Sequence, residues 1–443
     1  MKRGKWRSAA LCLALILSLA GCGKETDAAT KGTGSQSSES TEVGELQGSS
    51  SVEDLSESTV ETAEESTSEE SASAEIVQEE ITLKEACEEF FTLGVGINGS
   101  DLSNLCTYNG EYMELAAKHF NSVTLSNLMK SCYILQQGES KKNIKEGNGE
   151  PVLSYESIDD TLRWCQENGI GMRGHTLVWH VQAPGWFFRE GYEDNGAYVD
   201  KETMLFRMES YIRQLMTHCQ EEFPGVIYCW DVVNEAVDPD KGDKETDFCC
   251  RTEFDGGENP WYVTIGPEYV EYAFTYARKY AAEGVKLFYN DFNTYQSEKC
   301  KYILALCKGL KEKGLIDGIG MQGYYSVTYP SESSIESAIR RYSTLDLELQ
   351  VTELSVSIDD ESEKSLAEQG ERYADLMYSF CSLDEAFGGP ANITNVTFFG
   401  LIDHYREGDK TNTRLFDKYY EPKPAYEKVL EQFLVFKNRW RPE

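Results

Sequence analysis

Two glutamates stand out by type and position. Glu235 closes the apolar run "IYCWDVVNE" (227–235), and Glu353 lies inside "LELQVTELSV" (347–356). A surface strand also carries glutamates, and a single strand-end carboxylate serves equally well as a structural hydrogen-bonding group. Two of them at the ends of different apolar runs have a further use. One carboxylic acid can protonate a departing oxygen while one carboxylate attacks, the division of labour that hydrolyses a glycosidic bond. It needs surroundings that keep one group protonated and the other ionised at the same pH.

Such a pair works only if the fold brings its members together. Besides the two runs above, six more read as strands: "FFTLGVGI" (90–97), "SVTLSN" (122–127), "GMRGHTLVWH" (171–180), "KLFYND" (286–291), "GIGMQGYY" (318–325) and "NVTFFGLID" (395–403). Helical patterns such as "EYVEYAFTYARKYAAEG" (268–284) separate them. Strands alternating with helices make βα units and a parallel sheet. Eight such units predict an α/β fold closed as a single (β/α)8 TIM barrel over 81–443. A two-lobed solute-binding fold is the rival, but it lacks eight repeated units with polar ends. Most runs here end in polar or aromatic groups: Asn127, His175–Trp179–His180, Asn234–Glu235, Asn290–Asp291, Gln322, Glu353 and Asp403. In a barrel those ends gather at one mouth, with strands four and seven on opposite sides of it.

The segment before the barrel reads differently. A basic start (Lys2, Arg3, Lys5, Arg7) precedes an apolar run too short for a permanent membrane span, the pattern of a secretory signal. "LAGC" (19–22) resembles a bacterial lipobox, which implies cleavage before Cys22 and lipidation of its sulfur; an ordinary signal with a chance cysteine is the plainer reading. The expectation is a signal peptide over 1–21 and an extracytoplasmic, lipid-anchored protein, touching the membrane through the anchor alone. Residues 22–80 are rich in Ser, Thr and Glu and poor in large apolar groups, so they read as a disordered linker. The net charge of −34 argues against nucleic acid as a partner, since phosphates would be repelled. Of the 13 cysteines, Cys12 leaves with the signal and Cys22 is the lipid site. The remainder is odd, so at least one is unpaired, and no CxxC spacing indicates a zinc or redox site.

The motifs "HFNSVTLSNLMK" (119–130), "RGHTLVWHVQAPGWFF" (173–188), "WDVVNEAV" (230–237), "FYNDFNTY" (288–295), "GIGMQG" (318–323), "VTEL" (351–354) and "PKPAY" (422–426) resemble, in order, those of glycoside hydrolase family 10, the retaining endo-β-1,4-xylanases. The resemblance runs from about 84 to about 435. It implies Glu235 as acid/base, Glu353 as nucleophile, and Asn234 against the 2-hydroxyl of the sugar beside the cut. It further implies His175, Trp179 and Gln182 along the glycone side, Asn127 and Lys130 gripping glycone sugars, and Gln322 near the nucleophile. The implied substrate is xylan, a neutral β-glycan; the chemistry requires no metal or cofactor, and the protein is expected to be a monomer. A same-fold glycosidase acting on another β-glycan or on xylo-oligosaccharides is the nearest alternative. A non-hydrolytic glycan-binding lipoprotein is the alternative from another class, although a binder has no use for two mutually repelling carboxylates.

The departures from the family pattern are informative. Tyr324 stands where a histidine that bonds the nucleophile is usual, and Ser355 where an aspartate orients that histidine. A tyrosine donates one neutral hydrogen bond and needs no orienting partner, so the two changes read as one swap, with the Tyr324 hydroxyl bonding Glu353. Ser126 replaces a glutamate, and Phe399 and Glu407 replace tryptophans that wall the sugar nearest the cut. The expectation is a more open wall there.

Overall fold

The computed structural model describes residues 81–97, 110–403 and 412–439. The signal, Cys22, the linker and Glu407 lie outside the described residues. Eight parallel strands form the sheet: β1 (Thr92–Ile97), β2 (Ser122–Leu125), β3 (Gly171–Val178), β4 (Ile227–Asn234), β5 (Lys286–Asp291), β6 (Gly318–Met321), β7 (Glu348–Ser357) and β8 (Ile393–Phe398). Each pairs with the next, and β8 pairs with β1 from Thr92↔Asn395 to Val95↔Phe398, which closes the barrel. Strands enclosed on both faces are buried almost throughout; in β4 only Tyr228 is partly open. The two-lobed alternative is thereby excluded.

Helices pack the outside with one apolar stripe. Helix Glu332–Tyr342 buries Ile335, Ala338, Ile339 and Tyr342, the spacing of one helical face, and the side chain of Ser331 caps its start by accepting from the Ser334 amide. Inside the barrel, close packing relies on missing side chains. A Cβ on Gly174 would come within 2.3 Å of the Trp230 ring, so that glycine makes room for the indole.

The barrel interior also holds charge. Arg173 of β3 grips Asp231 of β4 with two nitrogens, at 2.6 and 3.0 Å, and donates through Nε to Gln350 of β7 at 2.7 Å. Both ions are fully enclosed. Burial alone would raise the Asp231 pKa; the Arg173 guanidinium and His175 outweigh it and hold the carboxyl below its usual range. Asp231 is thus a structural anion and not a third acid. Removing it strands a buried guanidinium, so Asp231→Ala is expected to cost about 3–5 kcal/mol of stability, read from urea unfolding. A loss under about 1 kcal/mol would mean that water or His175 compensates Arg173.

Most strand boundaries shift by a residue or two from the sequence reading, and three shifts bear on the site. The run at 318–325 is interrupted: β6 stops at Met321, Gly323 takes φ +81°, and Tyr324–Ser326 resumes as a short strand pairing only with Ser355–Ser357. This kink turns Tyr324 toward β7. β2 ends at Leu125, so Ser126 and Asn127 lie in the turn after it. β8 ends at Phe398, and Asp403 falls in the following loop.

Candidate active site

Glu235 immediately follows β4 with φ +60°, a left-handed conformation that non-glycine residues rarely adopt. Its amide donates to the Asn290 carbonyl at 2.9 Å, and its own carbonyl accepts from Arg251 Nε at 2.8 Å. The strained turn is therefore held from both sides. Backbone strain kept in place this way is a mark of functional positions. The carboxylate accepts from Gln322 Nε2 (2.8 Å) and Asn234 Nδ2 (3.1 Å) on one oxygen and from Trp179 Nε1 (3.1 Å) on the other. Burial is the main influence on its pKa and raises it, Gln322 pulls it down, and Asp291 and Glu353 add to the rise. Raising suits a group that must deliver a proton.

Glu353 lies in β7, buried. Its Oε1 accepts from Asn290 Nδ2 at 3.0 Å, and its Oε2 accepts from the Tyr324 hydroxyl. The contact expected from the paired departures at 324 and 355 is present. Tyr324 keeps 38% of its surface exposed, but the packing around its hydroxyl and then the charge of Glu353 push the phenol well above its ordinary pKa, so it stays a protonated donor. Ser355 offers no second carboxylate beside it.

The two acids are joined by an amide bridge. Asn290 donates both to Glu353 and to Asn234 Oδ1 (2.9 Å), and Asn234 in turn donates to Glu235. Thr352 fixes Asn290 by donating to its Oδ1 at 2.7 Å. A Cβ on Gly320 would sit 2.4 Å from that same oxygen, so the glycine of "GIGMQ" leaves the space the bridge occupies. Asn290 was visible in the sequence as a polar strand end but not as a site residue. Its partners come from β4 and β7, which only barrel closure brings together.

The other expected residues fall into two groups. Lys130 donates to Asn127 Oδ1 at 3.1 Å and stands 4.6 Å above the centre of the Trp179 ring. Burial lowers its pKa to about 8, against the pull of both carboxylates. Gln182 meets this group through its backbone, accepting from Cys132 N (3.0 Å) and Ser131 Oγ (3.1 Å). His175 Nδ1 sits 2.9 Å from Asp231, tying its ring to the interior ion pair. Phe399 packs edge-on against Tyr324, with ring centres 6.0 Å apart, so the wall expected to be open is partly filled by that tyrosine. Gln322 donates to Glu235, the partner of the nucleophile across the amide bridge. Asp403 is drawn away as well: it accepts from Lys423 Nζ at 2.7 Å and from the Arg414 amide, pinning the "PKPAY" segment. The ten cysteines among the described residues are all thiols, nine of them buried.

Gln322 supplies a pH test. Its donated hydrogen bond favours the ionised form of Glu235. Gln322→Ala should therefore raise the Glu235 pKa and move the alkaline limb of kcat/KM upward, because the acid stays protonated to higher pH. A downward move would contradict that assignment.

A closed (β/α)8 barrel with two bridged, buried carboxylates at its mouth is the architecture of a glycoside hydrolase. Residues 82–432 match the model of glycosyl hydrolase family 10, and the chain belongs to that family. A relative from Caldicellulosiruptor saccharolyticus is 41% identical over 320 residues, covering 70% of this chain and 98% of its own. Endo-1,4-beta-xylanase B of Butyrivibrio fibrisolvens is 38% identical, covering 79% of this chain, which spans about half of that longer protein. Among solved structures, the CBM22-1–GH10 modules of Clostridium thermocellum endo-1,4-beta-D-xylanase 10B with xylohexaose superpose with a TM-score of 0.71 at 32% identity, over 79% of this chain and 67% of that one. The intracellular xylanase TsXylA of Thermoanaerobacterium saccharolyticum, as a mutant with xylotriose, gives 0.65 at 29% identity, over 80% and 99%.

Proposed function

We infer that this protein is a retaining endo-β-1,4-xylanase in which Glu235 is the acid/base and Glu353 the nucleophile. The observation that carries the assignment is the bridged pair itself: Glu235 is buried with its pKa raised, and Glu353, tied to it through Asn290 and Asn234, has Asn290 and Tyr324 donating to its two oxygens. In the first step a Glu353 oxygen bonds to the anomeric carbon as the glycosidic C–O bond breaks, and Glu235 gives its proton to the departing oxygen. In the second, Glu235 takes a proton from water, the water oxygen bonds to the anomeric carbon, and the Glu353 carboxylate leaves. Two inversions give net retention. Asn234 stands beside the 2-hydroxyl of the sugar being cut, where binding strengthens in the transition state. Asn127, Lys130, His175, Trp179 and Gln182 hold the glycone sugars, with Trp179 giving an apolar face and the others polar edges. Reducing-sugar release from xylan is the test: the parent should release it and Glu353→Ala should not. Equal, negligible release from both would favour a glycan-binding protein.

The same reading places the enzyme outside the cytoplasm as a monomer on a lipid anchor at Cys22. The basic start, short apolar run and "LAGC" support the anchor. Cys22→Ser should move the protein from the membrane fraction to the soluble fraction. Retention in the membrane would argue against lipidation.

A further inference from the structure

β5 serves Glu235 from both of its faces. Side chains alternate along a strand, so Asn290 points into the barrel while Tyr289 and Asp291 point to its outer side. The inward residue carries the amide bridge. The outward pair makes a separate set of contacts. Asp291 Oδ1 holds Lys299 Nζ of helix Ser297–Glu312 at 2.7 Å and accepts from the Phe292 amide at 2.9 Å. Its Oδ2 accepts from the Tyr289 hydroxyl. That hydroxyl has one proton, already given to Asp291, so its oxygen is left as an acceptor. It accepts from the Val237 amide at 3.0 Å. All three side chains are buried. Burial and then the Asp291 charge keep the Tyr289 phenol well above its ordinary pKa, so it stays a donor.

These contacts end on the acid. Before the left-handed turn at Glu235, the Glu235 amide is tied to the Asn290 carbonyl of β5; after it, the Val237 amide is tied to Tyr289 of the same strand. The Asp291 carbonyl also accepts from the Gln322 amide at 3.0 Å, and the Gln322 side chain donates to the Glu235 carboxylate. Asp291 therefore reaches Glu235 by two routes: through Tyr289 to its backbone and through Gln322 to its carboxylate. An ion pair that only fastened a helix to the barrel would need neither route. Desolvation offsets most of the attraction within a buried pair, so stability alone is a weak reason for this one.

We propose that Tyr289, Asp291 and Lys299 are positioning residues, a buried brace that holds the Glu235 carboxyl in line with the departing glycosidic oxygen. The proposal rests on Glu235 as the proton donor, and Glu235→Ala is the control for that reading. The control should lose kcat/KM toward xylotetraose and keep most of it toward 2,4-dinitrophenyl β-xylobioside, whose leaving group needs no proton. The test variants are Tyr289→Phe, which removes one hydroxyl and keeps the ring, and Lys299→Met, which removes the cation that holds Asp291. Rates are taken per active site, counted by covalent labelling with a 2-deoxy-2-fluoro xylobioside, so that misfolded protein drops out. Both variants should lose about tenfold or more in kcat/KM toward xylotetraose, and less than about twofold toward the dinitrophenyl substrate. A purely structural role would lower the two alike. Equal losses on both substrates, or no loss on either, while Glu235→Ala discriminates between them, overturns the brace. If Glu235→Ala itself does not discriminate, the assignment of the proton donor falls, and the brace with it.

Discussion

Glu353→Ala should reduce xylan hydrolysis by at least about 10⁴-fold, the scale on which removal of a covalent nucleophile acts. The loss should appear in kcat, because the variant still presents the glycone group around Lys130 and Trp179. Alanine also leaves a gap beside Asn290 and Tyr324, whose donors no longer have a carboxylate to serve. A small external anion can enter there, and azide or formate should restore part of the rate toward an aryl xyloside with a good leaving group. With azide, attack from the vacated side gives the inverted glycosyl azide. Glu235→Ala differs. An activated aryl substrate needs little proton donation, so its first step should survive while deglycosylation slows for lack of a base. Azide should then rescue with retention. If both variants gave the same stereochemistry, the roles assigned to the two residues would be wrong.

The second large effect is expected at Tyr324. Tyr324→Phe removes one of the two donors to Glu353 and keeps the ring against Phe399. A donor on the nucleophile favours its ionised form before attack and steadies the carboxylate as it departs in the second step. The variant should lose about 10²-fold in kcat, comparable with deleting one donor to a developing anion. An unchanged rate would reduce Tyr324 to a packing residue. The pairing with position 355 has its own test. Tyr324→His alone leaves the imidazole without an orienting acceptor; combined with Ser355→Asp it should recover more than the single changes predict. A double-mutant cycle measures that coupling.

The barrel and the two acids were legible in the sequence for a physical reason. Each strand is short, apolar and ended by a polar group, and that rhythm survives without any knowledge of partners. The relation of Tyr324 to Glu353 was legible too, because two departures in separate motifs explained each other. What escaped depended on closure. Asn290 acts by touching β4 and β7 at once, and nothing local to "FYNDFNTY" states that. Gln322 lies at the end of β6, and the sequence could not say which acid it would meet. Asp403 has the type and place of a site residue but is claimed by Lys423, which arrives from a later segment. Strand ends blurred at Gly323, where the chain kinks and then resumes pairing with a single neighbour.

The left-handed backbone at Glu235 has a consequence for directed evolution. Glycine or asparagine accepts that conformation at less cost than glutamate, and neither returns the proton donor. A screen that rewards heat resistance alone would therefore favour their appearance at this position and accumulate folded, inert protein. Only a screen that also demands product would hold the glutamate in place, which makes position 235 a sentinel for any thermostabilised library of this enzyme.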